Sequence, residues 1–140
     1  MRHLAGNMRS RWTAFLTADG EKPDRHRDAE FEIPAGQDRA AVLADWEDGW
    51  AVLFAALEPL TDADLGRTVM IRGVPHSVAE AIQRQVAHYA YHVGQVVLLA
   101  RHWAGLAWTT LTIPRGQSEQ WNRERWGKGP DAGSAGARNV

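Results

Sequence analysis

Ser77-Val78-Ala79-Glu80 opens, and Gln85-Val86-Ala87-His88-Tyr89-Ala90-Tyr91-His92-Val93-Gly94-Gln95 continues, the stretch of sequence that decides the fold. Ser77 and Glu80 have the spacing of a capping box, in which the serine accepts from the amide three residues on and the glutamate reaches back. Behind that start the apolar residues recur at helical spacing, so the pattern predicts a long helix to about Ala104, ending near Gly105. On its wheel Val78, Ile82, Tyr89 and Val93 make an apolar stripe, and Ala81, Gln85, His88, His92, Gln95 and Leu99 make a second stripe beside it. The polar groups of the second stripe sit in mid-helix between small or apolar ends, where a solvated face would carry Lys and Glu.

His88 and His92 are four apart, one turn above each other on one face. Two imidazoles at that spacing can share one metal ion. They can equally be core histidines satisfied by protein partners, since a buried ring needs one or the other. The glutamate that follows the first histidine in the zincin motif is absent. Gly94 lies in a helix interior, where glycine costs about 1 kcal/mol relative to alanine, so it marks either the close approach of a neighbouring helix beside His92 or a tolerated accident.

Working outward, Thr68–Ile71 and Val74–Ser77 are two short extended runs around Arg72-Gly73, which predicts a small hairpin leaning on helices. Before it, Asp38 is suited to cap a helix whose Val42, Leu43, Trp46, Trp50, Leu53, Phe54 and Leu57 step along one face. Glu58-Pro59 closes that helix, and Thr61–Asp64 forms a short capped turn. The first helix is expected from about Arg2 to Leu16, on the stripe Leu4, Met8, Trp12, Phe15 and Leu16. Thr17 to Gln37, rich in charge and broken by Gly20, Pro23, Pro34 and Gly36, reads as a loop anchored through Phe31 and Ile33. Downstream, Trp108 to Trp126 reads as irregular, and the Gly, Ala, Ser and Pro of residues 127–140 read as a disordered tail. The organisation is therefore one helical domain over residues 1–126, followed by the tail.

Composition narrows the function. A chain of 140 residues with 44% hydrophobic residues can bury a core without staples. It has no cysteine, so it offers no thiolate ligand, no disulfide and no thiol nucleophile of its own. Sixteen Lys and Arg against 17 Asp and Glu leave a net charge of -1, with no electrostatic footprint for nucleic acid or membrane. The longest apolar run, Val96 to Ala100, is too short to span a bilayer, and Met1-Arg2-His3-Leu4-Ala5-Gly6-Asn7 lacks the apolar core expected of a signal peptide. A soluble cytoplasmic protein is expected.

Four segments carry a family resemblance. His3-Leu4-Ala5-Gly6-Asn7-Met8-Arg9-Ser10-Arg11-Trp12 resembles the second-helix signature of a branch, of unknown function, of the DinB/YfiT-like metal-binding superfamily. His88 to Val97 resembles its last-helix motif, and Ile71-Arg72-Gly73 and Ile113-Pro114-Arg115-Gly116-Gln117-Ser118 also look like its pattern. The resemblance implies an all-α four-helix bundle, with the small hairpin before the last helix. The metal is then held by one histidine of helix two and a pair in helix four, here His3, His88 and His92, with zinc or nickel as the ion. Three neutral imidazoles leave a coordination position open, as in catalytic zinc sites. His26, His76 and His102 are left as ordinary histidines, with His76 the one substitute ligand.

Because the superfamily includes transferases that use low-molecular-weight thiols, the resemblance implies a metal-dependent thiol S-transferase or a small-molecule hydrolase. The alternative is a non-catalytic stress-response bundle with a structural metal or none. Asn7, Gln85, Tyr91 and Gln95 are the expected substrate contacts, and Arg72 and Arg115 are expected to grip an acidic substrate. Only three long helices are readable, so the bundle's first helix is expected to be missing, through a start site upstream of Met1 or truncation. The apolar groove left behind predicts a homodimer with an interface on the order of 2,000 Å². His3, in a first helical turn that would fray, is expected to be the most loosely held ligand.

Overall fold

The structure, a computed structural model, describes residues 1–127, and the expected disordered tail lies almost wholly outside the described residues. The chain divides into two units, Met1–Val97 and Leu98–Val140. Three long helices span Arg2–Trp12 (α1), Arg39–Leu57 (α2) and Val78–Ala104 (α3), and a short helix spans Ser118–Trp126 (α4). One antiparallel hairpin pairs Thr68–Ile71 (β1) with Val74–Ser77 (β2). The described residues are thus mostly helical, with four α-helices among them. The fourth is α4, in a segment expected to be irregular.

Within the first unit α1 is the element around which the rest packs. Leu4, Ala5, Met8 and Trp12 are buried on it, with Phe15 just beyond its end. Leu53 of α2, Val69 and Ile71 of β1, and Val78, Ala81 and Tyr89 of α3 complete the core. Burial of a leucine or methionine at such a position contributes about 2–5 kcal/mol, judged by its truncation to alanine.

The close helix approach that is one reading of Gly94 occurs elsewhere. Nothing lies within 4 Å of a Cβ built on Gly94, whereas one on Gly49 would stand 2.9 Å from the Cα of Ala5. Glycine in α2 therefore lets α1 and α2 meet backbone to backbone, and the helix penalty is offset by that contact.

The capping expectations hold atom by atom. Asp38 Oδ1 accepts the Ala41 amide at 2.8 Å, Ser77 Oγ accepts the Glu80 amide at 3.2 Å, and Glu80 Oε2 accepts the Ser77 amide at 2.7 Å. α1, by contrast, stops at Trp12 rather than Leu16. Thr13 is extended, Ala14 takes a φ of 50°, and the chain turns back so that Phe15 packs on Trp12 with ring centroids 4.7 Å apart.

The turn-back places residues 17–30 along α1, where polar groups anchor them. Ser10 Oγ donates to the Gly20 carbonyl and accepts the Lys22 amide, and Lys22 Nζ donates to the Ser10 and Asp19 carbonyls. Ile33 is 84% exposed and anchors nothing, and Phe31 is more than half exposed. Asp19 ties this segment to the hairpin, its carboxylate accepting the Arg72 and Gly73 amides at 2.8 and 2.7 Å. Those two residues hold φ of 55° and 71°, the pair of positive values that a tight hairpin turn demands. Glycine meets that demand freely and arginine does so at a cost.

Candidate metal centre

α1 delivers His3 and α3 delivers His88 and His92 to one place. One ring nitrogen from each lies within 4.8 Å of the other two. His3 Nε2 and His88 Nε2 are 3.3 Å apart. Two nitrogens each bonded about 2.0–2.1 Å from one tetrahedral ion are separated by roughly that distance. His76 stays apart, its Nδ1 donating to the Val74 carbonyl at 3.0 Å, and so is not a fourth member.

Hydrogen bonds decide which nitrogen of each ring has a free lone pair. Glu30 accepts from His3 Nδ1 at 2.7 Å, and a carboxylate can only accept, so the proton is on Nδ1 and Nε2 is unprotonated in the neutral ring. Gln95 Oε1 accepts from His92 Nδ1 at 2.9 Å, which leaves His92 Nε2 free in the same way. Acceptors that orient histidine ligands through the far nitrogen are the usual second layer of a metal site. Burial, together with the neighbouring His92 and His3, pushes His88 down to about 4. Burial also lowers His3, against the opposing pull of Glu30. Both rings are therefore neutral near pH 7, the form that ligates.

Glu30 is itself fixed. Arg25 grips it with a two-pronged pair, Nε to Oε1 and Nη2 to Oε2, both 2.8 Å, and uses Nη1 on Glu21 at 3.2 Å. Burial alone would raise the Glu30 carboxyl, but the bonds from Arg25 and His3 more than reverse it. Gly6 makes room for this arrangement. A Cβ there would stand 2.6 Å from Glu30 Cδ, so the glycine of the His-Leu-Ala-Gly-Asn stretch is where the carboxylate lies against α1. Phe31 stacks on His3 with centroids 4.7 Å apart. His3 is thus clamped from the loop side, contrary to the frayed position expected of it, and its side chain is only 12% exposed.

The expected substrate contacts separate into groups. Asn7, Gln85 and Arg72 line a cavity of about 290 Å³ together with His3 and His88. Asn7 Oδ1 also accepts from Tyr89 Oη at 3.2 Å, and Tyr89 Oη accepts from Trp12 Nε1 at 2.8 Å. Burial holds Tyr89 up to about 12, so it remains a phenol and a fixed donor. Tyr91 is 64% exposed with its ring edge on His92, and Gln95 is engaged with His92 rather than lining the cavity. Arg115 lies in the unit Leu98–Val140.

A family model described as "Protein of unknown function (DUF1572)" matches residues 1–117. The chain belongs to this DUF1572 family. The match includes His3, His88 and His92, the Gly6–Glu30 contact and the hairpin, and it ends just before α4. No curated protein and no solved structure gives a significant match. Among the residues of this DUF1572 chain that sequence reasoning missed, Glu30 and Arg25 matter most to the site. Their one sequence signal was the glycine at Gly6, an unfavourable residue inside a helix whose neighbour was not yet known.

Proposed function

We propose that this DUF1572 chain is a DinB-like bundle protein that binds one divalent ion, zinc or nickel, through His3, His88 and His92. The observation that carries the reading is the convergence of the three rings, two of them turned by Glu30 and Gln95 so that Nε2 is free. The donor set fits, because three neutral imidazoles and no thiolate make a site with room for a further ligand. When bound, such an ion supplies positive charge that lowers the pKa of a thiol or of water near neutral pH.

Around that charge the chain's own groups have defined tasks. Glu30 and Gln95 keep the far protons of His3 and His92 in place, and Tyr89 donates to Asn7 at the cavity wall. With no cysteine in the chain, any thiol must arrive as a low-molecular-weight cosubstrate. We therefore read the protein as a metal-dependent thiol S-transferase or small-molecule hydrolase. The test is the metal content of freshly purified protein, followed by a thiol-dependence screen of metal-loaded and chelated samples. Bound metal with no activity under any thiol would turn the reading to a non-catalytic bundle.

The partner reading is a second copy of the chain. It rests on the exposed apolar residues along one side of the later part of α3, Val96, Leu99 and Trp103, the last of them 83% exposed. An apolar face of this kind suits self-association. Sedimentation at low micromolar concentration should give a dimer, and a stable monomer would refute it. Among the described residues no helix is long and apolar enough to cross a membrane.

A further inference from the structure

The cavity that touches His3 and His88 is lined by five guanidinium groups, those of Arg11, Arg25, Arg27, Arg72 and Arg84, and by no acidic side chain. The carboxylates that neutralise the cluster are few. Glu21 is shared among Arg11, Arg25 and Arg72, Glu30 is divided between Arg25 and His3, and Asp28 pairs loosely with Arg27 at 3.8 Å. Among the described residues Arg84 pairs with no carboxylate, so positive charge is left over.

Two buried groups on the same wall lack partners. Arg11 is 4% exposed, with Nε and Nη1 unbonded and Nη2 only 3.7 Å from Glu21. Gln85 is 3% exposed, and its Oε1 accepts from nothing. Buried polar atoms are nearly always satisfied, and their concentration at a cavity marks what a ligand would supply. The guanidinium groups call for an oxyanion, and the Gln85 oxygen calls for a donor. The hairpin turn agrees, since its positive-φ position carries Arg72 where glycine or asparagine would fold more easily, and that side chain lines the cavity.

We infer that this cavity is a binding site for a small organic anion that carries a carboxylate and, close to it, a hydroxyl or amino donor. The carboxylate sits against Arg11, Arg72 and Arg84 and the donor meets Gln85 Oε1. A volume of about 290 Å³ equals roughly ten waters at about 30 Å³ each, which suits a metabolite-sized acid and not a polymer. As the substrate class of the proposed metal site this rests on that reading; as an anion site it stands without it.

The test is calorimetric titration of the metal-free full chain at low ionic strength with malate, with succinate, which lacks the hydroxyl, and with inorganic phosphate. Malate should bind most tightly, and affinity should fall as salt rises. Arg84→Gln and Arg72→Gln, both exposed positions whose loss leaves the fold intact, should each weaken malate about fivefold or more, with metal content unchanged. No malate binding by the wild type, or binding by both variants as tight as wild type, overturns the inference even if the protein carries metal. Phosphate binding as tightly as malate overturns the organic-acid assignment. Malate binding by a protein that takes up no metal supports the inference and counts against the metal reading alone.

Discussion

His3 and His92 are held to the same site by opposite means. His3 projects from the first turn of α1, but its Nδ1 proton is held by Glu30, which is locked by Arg25, which is locked by Glu21. His92 projects from the middle of the longest helix, yet its one orienting partner is the exposed side chain of Gln95, a turn away. Helical position alone would rank the two the other way round. The difference teaches that a ligand's rigidity is set by what packs around the side chain, because buried charge pairs tolerate little displacement while an exposed amide reorients at small cost.

The largest effect that could break this comparison is removal of Arg25. Arg25→Ala leaves Glu21 and Glu30 charged, close together and partly desolvated, and should destabilise the protein by about 3–5 kcal/mol in denaturant unfolding. A loss within about 0.5 kcal/mol, typical of surface changes, would mean that the clamp on His3 is loose.

The next step separates the two orienting partners. Glu30→Gln should lower metal affinity about 10- to 100-fold, as loss of a carboxylate behind a ligand does. Gln95→Ala should lower it by less, because water can replace the amide at an exposed site. Equal losses in competitive metal titration would erase the distinction. Gly6→Ala probes the same clamp from the helix side. Its new methyl would collide with the Glu30 carboxylate, so metal affinity should fall although alanine is the better helix former.

A further expected effect is on pH. In the metal-free protein His88 titrates at about 4 in the fold and near 6.5 when unfolded, so the unfolded chain binds the extra proton first. Stability from this group is fully present above about pH 6.5 and is lost as pH falls through the window to about 4. His3, also lowered, acts in the same sense. In thermal unfolding of metal-free protein, His88→Gln should flatten that part of the pH profile. An unchanged slope would show that the ring is solvated.

Much of this was legible in the sequence because it is local. Asp38, Ser77 and Glu80 sit three residues from their partners, and the Arg72-Gly73 turn is marked by its own residues. α4 was not legible. Glu119, Gln120, Arg123 and Glu124 give it one ion pair and one amide hydrogen bond at i,i+4 but no apolar stripe, and no residue of it is buried. The His88–His92 pair was visible as spacing, and His3 came from resemblance. Glu30 could be read from neither, since it lies 27 residues from His3, in a polar loop in which no period points to it. The reasons for Gly6 and Gly49 became visible only with the neighbours in place.

The central claim is that the three rings hold one ion, and metal analysis of purified wild type beside His3→Ala, His88→Ala and His92→Ala tests it most directly. The account predicts about one divalent ion per chain in the wild type and its loss in all three variants, with His3→Ala no milder than His92→Ala. Undiminished metal in any of the three would contradict it.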